Sequence, residues 1–460
     1  MRLKTTIEKT QPVKYNLYYN LKKVLIITYY WPPSGGGGVQ RWVKFVKYLR
    51  TFGWEPTVFT PENPEIPAYD ESLMADVPKD VKIVRNRIWE PYQYYKKLTG
   101  RKKTDKIQTA FLNEKNYSSG VFERLSIWIR GNFFIPDARR YWIKPSVRLL
   151  EKYINENDFE AIVSTGPPHS AHMIGLQLKQ KTGIPWLADF RDPWTNIDYY
   201  KDLKLGKRAD RIHHRLEKQI LEEADAITVI SPGMASEFNA IVKKDYKVIP
   251  NGYDAEDIIR NQENNLVNNK FSLAHIGSLT KTRNPNNLWE ALKQLVDNDK
   301  PFAKDLEIHN IGKIDISAVE SIKSYKLDSF LKQTDYLPHE KVIIEQQKAT
   351  LLLLLVNNTP NAKLILTGKI FEYLVSGTPI ICIAPHDGDA AAVINETSCG
   401  TSYDFDETDK LKTDIYNYYQ QFKKGNIISE CRNIEKYDRK NLTRKLGEIL
   451  DELCSSNQNP

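Results

Sequence analysis

Glycines and cations stand at points of the sequence where a predicted strand passes into a predicted helix. Four consecutive glycines, residues 35–38, follow the strand Val24 to Tyr30 and precede a helix predicted to begin at Val39. Glycine lets the backbone approach a ligand closely, and a helix N-terminus attracts negative charge. The glycine loop therefore predicts a site for an anion or a sugar phosphate, with a surface turn as the alternative. The second strand ends in Thr60-Pro61 and not in an acidic residue, which speaks against NAD.

A second group of charged residues follows two later predicted strands. Lys281 and Arg283 lie in a turn after the strand Ser272 to Ile276, while Lys369 stands at a predicted helix start with Glu372 one turn later. Three cations at such turns of one sheet could neutralise a diphosphate, and the carboxylate could accept hydrogen bonds from a vicinal diol such as a ribose. For each cation taken singly, a solvated surface charge is the alternative.

Charged residues and histidines also follow strands in the first half of the chain. Arg191 and Asp192 come directly after the predicted strand Trp186 to Phe190. Arg191 could support a diphosphate and Asp192 could hold a hydroxyl group, unless the two form a buried ion pair. His169 and His172 follow another strand, and each is either structural or faces a ligand. These four residues are the candidates for catalytic roles.

The sequence Asp387-Gly388-Asp389 places two carboxylates after a predicted strand, a pattern that can hold a metal ion. A helix follows directly, so we predict that Asp389 is the N-cap of that helix. No metal site is predicted here or elsewhere in the chain.

Short apolar runs alternate with segments of helical periodicity between residues 23 and 435, which is typical of parallel α/β sheets. The turn pair Asn251-Gly252 separates two series of strands. The predicted fold class is α/β, with two Rossmann-like domains whose parallel sheets face a central cleft. The predicted strands are Val24 to Tyr30, Thr57 to Thr60, Val81 to Val84, Ala161 to Thr165, Trp186 to Phe190, Ala226 to Ile230, Ser272 to Ile276, Leu306 to Ile311, Leu351 to Val356 and Ile380 to Ala384.

The composition is that of a globular protein with a weak positive charge. The 460 residues include 66 Lys+Arg and 58 Asp+Glu, a formal charge of +8. The basic residues are spread along the chain, so no nucleic acid partner is predicted, whereas an anionic ligand or membrane surface is compatible.

Four cysteines without a C-x-x-C pair predict free thiols in a reducing compartment. Residues 1–21 form a polar leader without a signal-peptide pattern, and the longest apolar run, Leu351 to Val356, is too short to span a bilayer. We therefore predict a cytoplasmic location.

A segment of about residues 89–142 interrupts the alternation and is predicted to be an insertion. It interleaves aromatic residues with cations, including Arg130, Arg139 and Arg140. This pattern is typical of a surface that lies in a membrane interface or binds a lipid diphosphate. We predict that the three arginines form an acceptor or membrane face, and a packed excursion of the first domain is the alternative.

Several motifs, in this order, resemble glycosyltransferase family 4, the retaining GT-B enzymes of bacterial surface-glycan synthesis. They are the glycine loop, Ala226 to Ser231, Val248 to Asp254 and Gly368 to Ile380. The resemblance covers the chain from about residue 22. It implies an acceptor domain over 22–250, a nucleotide-sugar donor domain over 251–435, and a C-terminal helix within 436–460 that crosses back to the first domain.

The resemblance also implies roles for individual residues. Glu372 matches the second of two paired glutamates, which holds the ribose. The other residues implied in donor binding are Gly277, Lys281, Arg283, Gly368, Lys369, Gly388 and Asp389, and those implied in phosphate or acceptor contact are Gly36, Gly37 and Gly38. Two positions depart from the family pattern: Leu364 stands where the first glutamate is expected, and residues 189–192 stand where a histidine is expected.

The implied reaction moves a sugar, such as a hexose, from a nucleotide diphosphate sugar to a hydroxyl group of a lipid-linked surface glycan, with retention of configuration. The leaving diphosphate can take the acceptor's proton, so no cofactor and no catalytic histidine are required. Two alternatives remain open. One is a nucleotide-sugar 2-epimerase, and the other is a catalytically silent GT-B protein that binds a glycan.

Overall fold

The computed structural model describes residues 21–66, 69–89, 128–198, 200–260, 269–425, 427 and 429–456. These residues form two parallel β-sheets surrounded by helices. The predicted α/β fold with two Rossmann-like units is confirmed. The leader up to residue 20 and residues 90–127 of the predicted insertion lie outside the described ranges.

The first sheet has seven strands in the order β3-β2-β1-β4-β5-β6-β7. Its strands are β1 (Lys22–Ile27), β2 (Trp54–Pro61), β3 (Lys82–Asn86), β4 (Ala161–Gly166), β5 (Trp186–Phe190), β6 (Ala226–Val229) and β7 (Tyr246–Val248), and its helices are α1 (Gly37–Leu49), α2 (Arg140–Asn155), α3 (Ser170–Thr182), α4 (Lys207–Glu223) and α5 (Pro232–Ile241). The strand order reverses between β1 and β4, and ligands of such sheets bind where the loops after those two strands diverge.

The second sheet has six strands in the order β10-β9-β8-β11-β12-β13, which repeats the arrangement of the first. Its strands are β8 (Phe271–Ile276), β9 (Leu306–Ile311), β10 (Leu331–Thr334), β11 (Leu351–Leu355), β12 (Ile380–Ile383) and β13 (Gly400–Tyr403). The remaining helices are α6 (Ala255–Arg260), α7 (Asn286–Asn298), α8 (Lys300–Asp305), α9 (Ile316–Ser324), α10 (His339–Lys348), α11 (Lys369–Leu374), α12 (Asp389–Thr397), α13 (Thr408–Lys423) and α14 (Arg439–Ser456). The point of reversal lies between β8 and β11.

Two segments connect the halves, and they lie side by side. The backbone N–H of Tyr253 donates to the carbonyl of Tyr437 (3.1 Å), and the N–H of Arg439 donates back to the carbonyl of Tyr253 (2.8 Å). Helix α14 then packs against α1 of the first half, where Leu442, Leu446 and other apolar residues of α14 join the core around α1.

The strand predictions were wrong where strands are short and polar. β7, β10 and β13 were not predicted; β10 reads Leu-Lys-Gln-Thr and is a partly exposed edge strand, so it lacks the apolar run that marks a buried strand. Helix α1 begins at Gly37 and not at Val39, with Gly36 as its N-cap. Gly37 and Gly38 therefore belong to the first helical turn.

The prediction of free thiols was wrong for two of the four cysteines. Cys399 and Cys431 form a disulfide, whereas Cys382 and Cys454 are free. The two partners lie 32 residues apart in the sequence, a spacing that carries no pairing signal.

None of the helices in the described ranges combines the length and the apolar character of a membrane-spanning helix.

Candidate functional site

Lys369 and Gly277 meet at the point where the strand order of the second sheet reverses. Lys369 is the first residue of α11, as predicted, and its ammonium lies directly over Gly277. Gly277 has φ +120°, and a Cβ added there would lie 2.0 Å from Nζ of Lys369. Glycine is thus required on both steric and backbone grounds. Burial and the nearby charge of Arg283 lower the pKa of Lys369 to about 7.

Arg283 lies close to Lys369 and reaches toward the first half of the protein. Its Nε donates to Oδ1 of Asn357 (2.9 Å), and Nη1 donates to the carbonyl of Ser278 (3.1 Å). The amide of Asn357 in turn donates to Asp198 of the first half (3.3 Å). Burial lowers the pKa of Arg283. Lys281, by contrast, is exposed and stands at the rim.

Glu372 is half-buried on α11, one turn after Lys369, and accepts a hydrogen bond from the amide of Gln346 (3.3 Å). Gly368 is the N-cap of α11, and a Cβ there would contact Asn251 of the connecting segment (3.7 Å). Leu364 stands where the family pattern has the first of its two glutamates. Its side chain lies against Gly233 and so contacts the first half.

In the first half, the glycine loop and Arg191 are in direct contact. A Cβ on Gly38 would lie 1.3 Å from Nη1 of Arg191, so the guanidinium rests on the first turn of α1. Nη2 of Arg191 donates to the carbonyl of Pro167, while Nε is buried without a partner among the described residues. Burial lowers the pKa of Arg191. Nothing lies within 4 Å of a Cβ built on Gly36 or Gly37.

The buried ion pair at the end of β5 does not join Arg191 and Asp192, the pair that the sequence left open as an alternative. Asp189, and not Asp192, forms it with Arg41 (2.9 Å), and both side chains are about 1% exposed. Asp189 also accepts hydrogen bonds from Trp42, Thr165 and Thr228 at 2.8 Å each. Burial opposes its ionisation, but Arg41 and these donors hold its pKa below the ordinary value. Asp192 is half-buried, and burial raises its pKa.

Both candidate histidines are buried and neutral. His172 is hydrogen-bonded through Nδ1 to Ser164 (2.9 Å), and burial, together with Arg191, lowers its pKa to about 3. His169 stacks on Trp194 with ring centroids 4.2 Å apart, and burial lowers its pKa. One ring nitrogen of each, Nδ1 of His169 and Nε2 of His172, has no partner in the described part of the chain.

Asp389 is not an N-cap. Gly388 caps α12, and the carboxylate of Asp389 accepts hydrogen bonds from the N–H of Gly233 at the start of α5, at 3.2 Å to each oxygen. Asp389 therefore links the two halves, and burial raises its pKa.

The predicted membrane face is only partly on the surface. Trp142 is buried and stacks on Phe59 (5.6 Å, 7° between planes), and the Arg139 guanidinium lies over Tyr29 (5.0 Å). Arg140 is exposed and donates to the carbonyl of Phe133 (2.5 Å). Arg130 is half-buried.

A pocket of about 90 Å³ opens between the halves beside the connecting segments, and we call it the hinge pocket. Gln40 and Lys44 of α1 line it from the first half, and Gln346 and Glu372 line it from the second. Arg439 of α14 completes the wall.

Residues 36–252 match the family model of the glycosyl transferase 4-like domain. This part of the chain is therefore similar to the glycosyl transferase 4-like domain. The predicted resemblance to glycosyltransferase family 4 is confirmed. No curated protein matches the chain.

Solved structures extend the fold assignment to nearly the whole chain. Sucrose-phosphate synthase from Thermosynechococcus elongatus is 15% identical with a TM-score of 0.52, over 95% of this chain and 97% of that chain. The N-terminal domain of Candida albicans trehalose-6-phosphate phosphatase is 10% identical with a TM-score of 0.59, over 96% and 98%. A variant of S. aureus TarM, in complex with fondaparinux, alpha-GlcNAc-glycerol and UDP, is 11% identical with a TM-score of 0.56, over 96% and 100%. The protein therefore has the GT-B fold of glycosyltransferases.

Three residues of this region carry no signal in the sequence. His275 is buried beside Lys369 in β8; burial and Lys369 lower its pKa to about 3. Glu217 of α4 accepts three hydrogen bonds from Trp194 and Thr195, which fixes the loop that follows Arg191 and Asp192. Arg439 lines the hinge pocket. Their positions depend on tertiary packing, which local periodicity does not encode.

Proposed function

We propose that the protein is a retaining glycosyltransferase that moves a sugar, such as a hexose, from a nucleotide diphosphate sugar to a hydroxyl acceptor. The observation that carries the proposal is the grouping of Lys369, Arg283 and Gly277 where the second sheet reverses, with Glu372 one helical turn away. The cations neutralise the diphosphate and Glu372 binds the ribose diol. Residues 251–435 thus form the donor domain, and residues 22–250 the acceptor domain.

The chemistry is assigned to the donor and to charges around it. The bond between the sugar's anomeric carbon and the diphosphate oxygen breaks, and the acceptor oxygen bonds to that carbon on the same face. The acceptor's proton passes to the departing diphosphate, so the neutral histidines are not needed as bases. Arg191, which lies on Gly38, supports the diphosphate from the first half. Gly36 and Gly37 leave space for the acceptor. Asp192 holds a hydroxyl group of the acceptor or of the sugar.

Neither a metal nor a cofactor takes part in the proposed reaction. The cations on the chain supply the charge that a metal would otherwise supply. Turnover that survives an excess of a strong chelator would support this, and complete loss reversed by Mg²⁺ would contradict it.

The decisive experiment is a thermal-shift and calorimetric panel of nucleoside diphosphates and nucleotide sugars. A selective ligand raises the melting temperature in the wild type. Glu372→Ala should weaken its binding by about 10- to 100-fold, as expected for lost charge-assisted hydrogen bonds. Glu320→Ala, at an exposed position of α9, is the matched control and should bind normally.

The alternatives give different outcomes in the same panel. A silent glycan-binding protein responds to none of the nucleotides. A 2-epimerase converts a nucleotide sugar into its epimer without an acceptor, which NMR of the sugar protons detects.

For the acceptor we propose a lipid-linked surface glycan, approached from an anionic membrane. Trp128 (42% exposed), Phe133 (59%) and Tyr141 (44%) form an exposed aromatic surface near Arg140 and Trp89. Aromatic rings with adjacent cations suit the interface of an anionic bilayer.

This membrane surface can be tested with vesicles containing phosphatidylglycerol. Trp128→Ser with Phe133→Ser should reduce co-sedimentation, while Ile316→Ser, at an isoleucine that is 63% exposed on α9, should not. Equal binding by all three proteins would contradict the membrane proposal. We place the protein in the cytoplasm at the inner face of the membrane, and cell fractionation with protease protection tests that location.

A further inference from the structure

Helix α4 and the segment that leads into it carry a dense group of exposed cations. They are Lys201, Lys204, Lys207, Arg208, Arg211, Arg215 and Lys218, and all seven are exposed. At 3.6 residues per turn, the cations within the helix fall on about a third of its circumference, so they share one face. We call the seven residues the α4 cationic surface.

Little of this positive charge is neutralised within the protein. Lys218 pairs with Glu222 (3.6 Å), but the other six cations make no ion pair with any residue that the structure describes. Asp210 is the acidic residue nearest to the helix start, and it accepts a hydrogen bond from the hydroxyl of Tyr200 (3.0 Å). Like charges on neighbouring turns of a helix repel one another, so this face is suited to an external partner that is negatively charged.

The opposite face of α4 is held by the first half of the protein. His213 accepts a hydrogen bond from the indole N–H of Trp194 (3.0 Å). Glu217 accepts hydrogen bonds from the backbone N–H groups of Trp194 (3.2 Å) and Thr195 (3.3 Å). Ile220 is fully buried in the core. The helix is therefore fixed through its inner face, and packing makes no use of the outer, cationic face.

The α4 cationic surface is continuous with the exposed aromatic residues Trp128 and Phe133. The side-chain amide of Asn132, which lies between these two residues in the sequence, donates to the carbonyls of Trp128 (2.8 Å) and Lys204 (3.3 Å). Its oxygen accepts a hydrogen bond from the N–H of Gly206, the N-cap of α4 (2.7 Å). The aromatic rings and the cations thus belong to one surface of the first half.

The form of this surface favours a bilayer over other polyanions. Single-stranded nucleic acid is bound in a groove that is lined by cations, whereas these cations lie on the outward face of a helix. The rings of Trp128 and Phe133 pack edge to face (5.6 Å between centroids) and stand beside the cations. Aromatic rings at the headgroup level with cations on the headgroups are the arrangement expected at the interface of an anionic membrane.

We propose that the α4 cationic surface is a docking surface for an anionic lipid bilayer, on which α4 lies along the headgroups while Trp128 and Phe133 enter the interface. The proposal deepens the membrane contact proposed above, and it rests on the proposed function only in placing the acceptor in that membrane. It assigns most of the affinity to charge, because each Lys or Arg near an anionic surface raises the partition coefficient by about fivefold.

The test measures partitioning of the full chain into phosphatidylcholine vesicles with and without phosphatidylglycerol. The wild type should bind only the vesicles that contain phosphatidylglycerol, and salt should weaken the binding. The triple variant Lys207→Gln, Arg211→Gln and Arg215→Gln should lower the partition coefficient by about 100-fold.

A second triple variant removes the same charge elsewhere and is the matched control. Lys300→Gln, Lys304→Gln and Lys323→Gln lie at exposed positions of α8 and α9 in the second half, and the variant should bind vesicles like the wild type. The α4 variant should unfold at the temperature of the wild type or above it, because the three removed cations make no ion pair with described residues.

Three outcomes would overturn the proposal. They are equal vesicle binding by the two triple variants, equal binding of the wild type to vesicles without phosphatidylglycerol, and binding of soluble polyphosphate as tight as that of the vesicles at the same salt concentration. The proposed function fails separately. An absent response to every nucleotide would refute the glycosyltransferase while vesicle binding persists, whereas lost vesicle selectivity with an intact nucleotide response would refute only the docking surface.

Discussion

The contact between Gly38 and Arg191 gives the sharpest prediction. In Gly38→Ala the new methyl group would lie 1.3 Å from Nη1 of Arg191, whereas an ordinary contact needs at least 3.4 Å. The guanidinium must therefore move by about 2 Å and lose its bond to the carbonyl of Pro167. A displacement of about 1 Å of a charge-stabilising group can cost about 100-fold in rate. We expect kcat for sugar transfer to fall by about 100- to 1000-fold.

The matched control lies one residue earlier in the same helical turn. A Cβ on Gly37 meets nothing within 4 Å, so Gly37→Ala leaves Arg191 in place. This variant should retain nearly full kcat, and narrowing the room proposed for the acceptor should raise only the KM for the acceptor. Gly37→Ala should stabilise α1 slightly, by up to about 1 kcal/mol, because alanine favours helix over glycine. In Gly38→Ala the lost hydrogen bond of Arg191 opposes this gain. Steady-state transfer to a hydroxyl acceptor, with urea unfolding for each variant, measures both effects.

A double-mutant cycle decides whether the loss acts through Arg191. In an Arg191→Ala background the Gly38→Ala substitution has no guanidinium to displace, so its further effect on kcat should vanish. Equal kcat for Gly37→Ala and Gly38→Ala, or a full additional loss in the Arg191→Ala background, would refute the role of this contact.

Three further outcomes are expected. Because the pKa of Lys369 is about 7, the protonated fraction of this lysine falls between pH 6.5 and 8.5, and the affinity for a nucleoside diphosphate should drop about tenfold or more over that range. Binding should be accompanied by uptake of a proton by the protein. Calorimetry of Lys369→Met should show neither effect. Asp189→Asn leaves Arg41 buried and unpaired, so the free energy of unfolding should fall by about 3–5 kcal/mol in urea titrations, and a change below about 1 kcal/mol would contradict this. Denatured, unreduced protein should contain two titratable thiols, rising to four after reduction of Cys399–Cys431; four before reduction would exclude the disulfide.

The sequence predicts the parts of the fold in which one physical signal dominates. β11 is five leucines that are all buried, so its hydrophobic run marks it without ambiguity. The polar edge strand β10 has no such run, and only pairing with β9 makes it a strand. The run of glycines before a helical pattern indicated a loop before α1. It did not indicate at which residue the helix begins, because glycine is compatible with both a loop and the first helical turn.

For the site, the chemical type of the residues was easier to predict from the sequence than the contacts that each residue makes. Lys369 was predicted near a diphosphate and Gly277 in donor binding, but the direct contact between the lysine and the glycine was not predicted. An ion pair between Arg191 and Asp192 at the end of β5 was left open only as the alternative to functional roles for the two residues, because they are adjacent in the sequence. The partner that matters is Arg41, which lies 148 residues from Asp189 and reaches it only through the fold.

Helix α14 has a consequence for how the protein is made. Its apolar residues Leu442, Leu446 and Leu450 complete the core that Trp42 and Val46 of α1 begin. A ribosome that has finished the first sheet must translate about 200 more residues before this helix exists, roughly 10–40 s at ordinary elongation rates. During that interval the nascent first half presents an uncovered apolar surface. A segment synthesised after the whole second sheet is therefore the one that closes the first unit to fold.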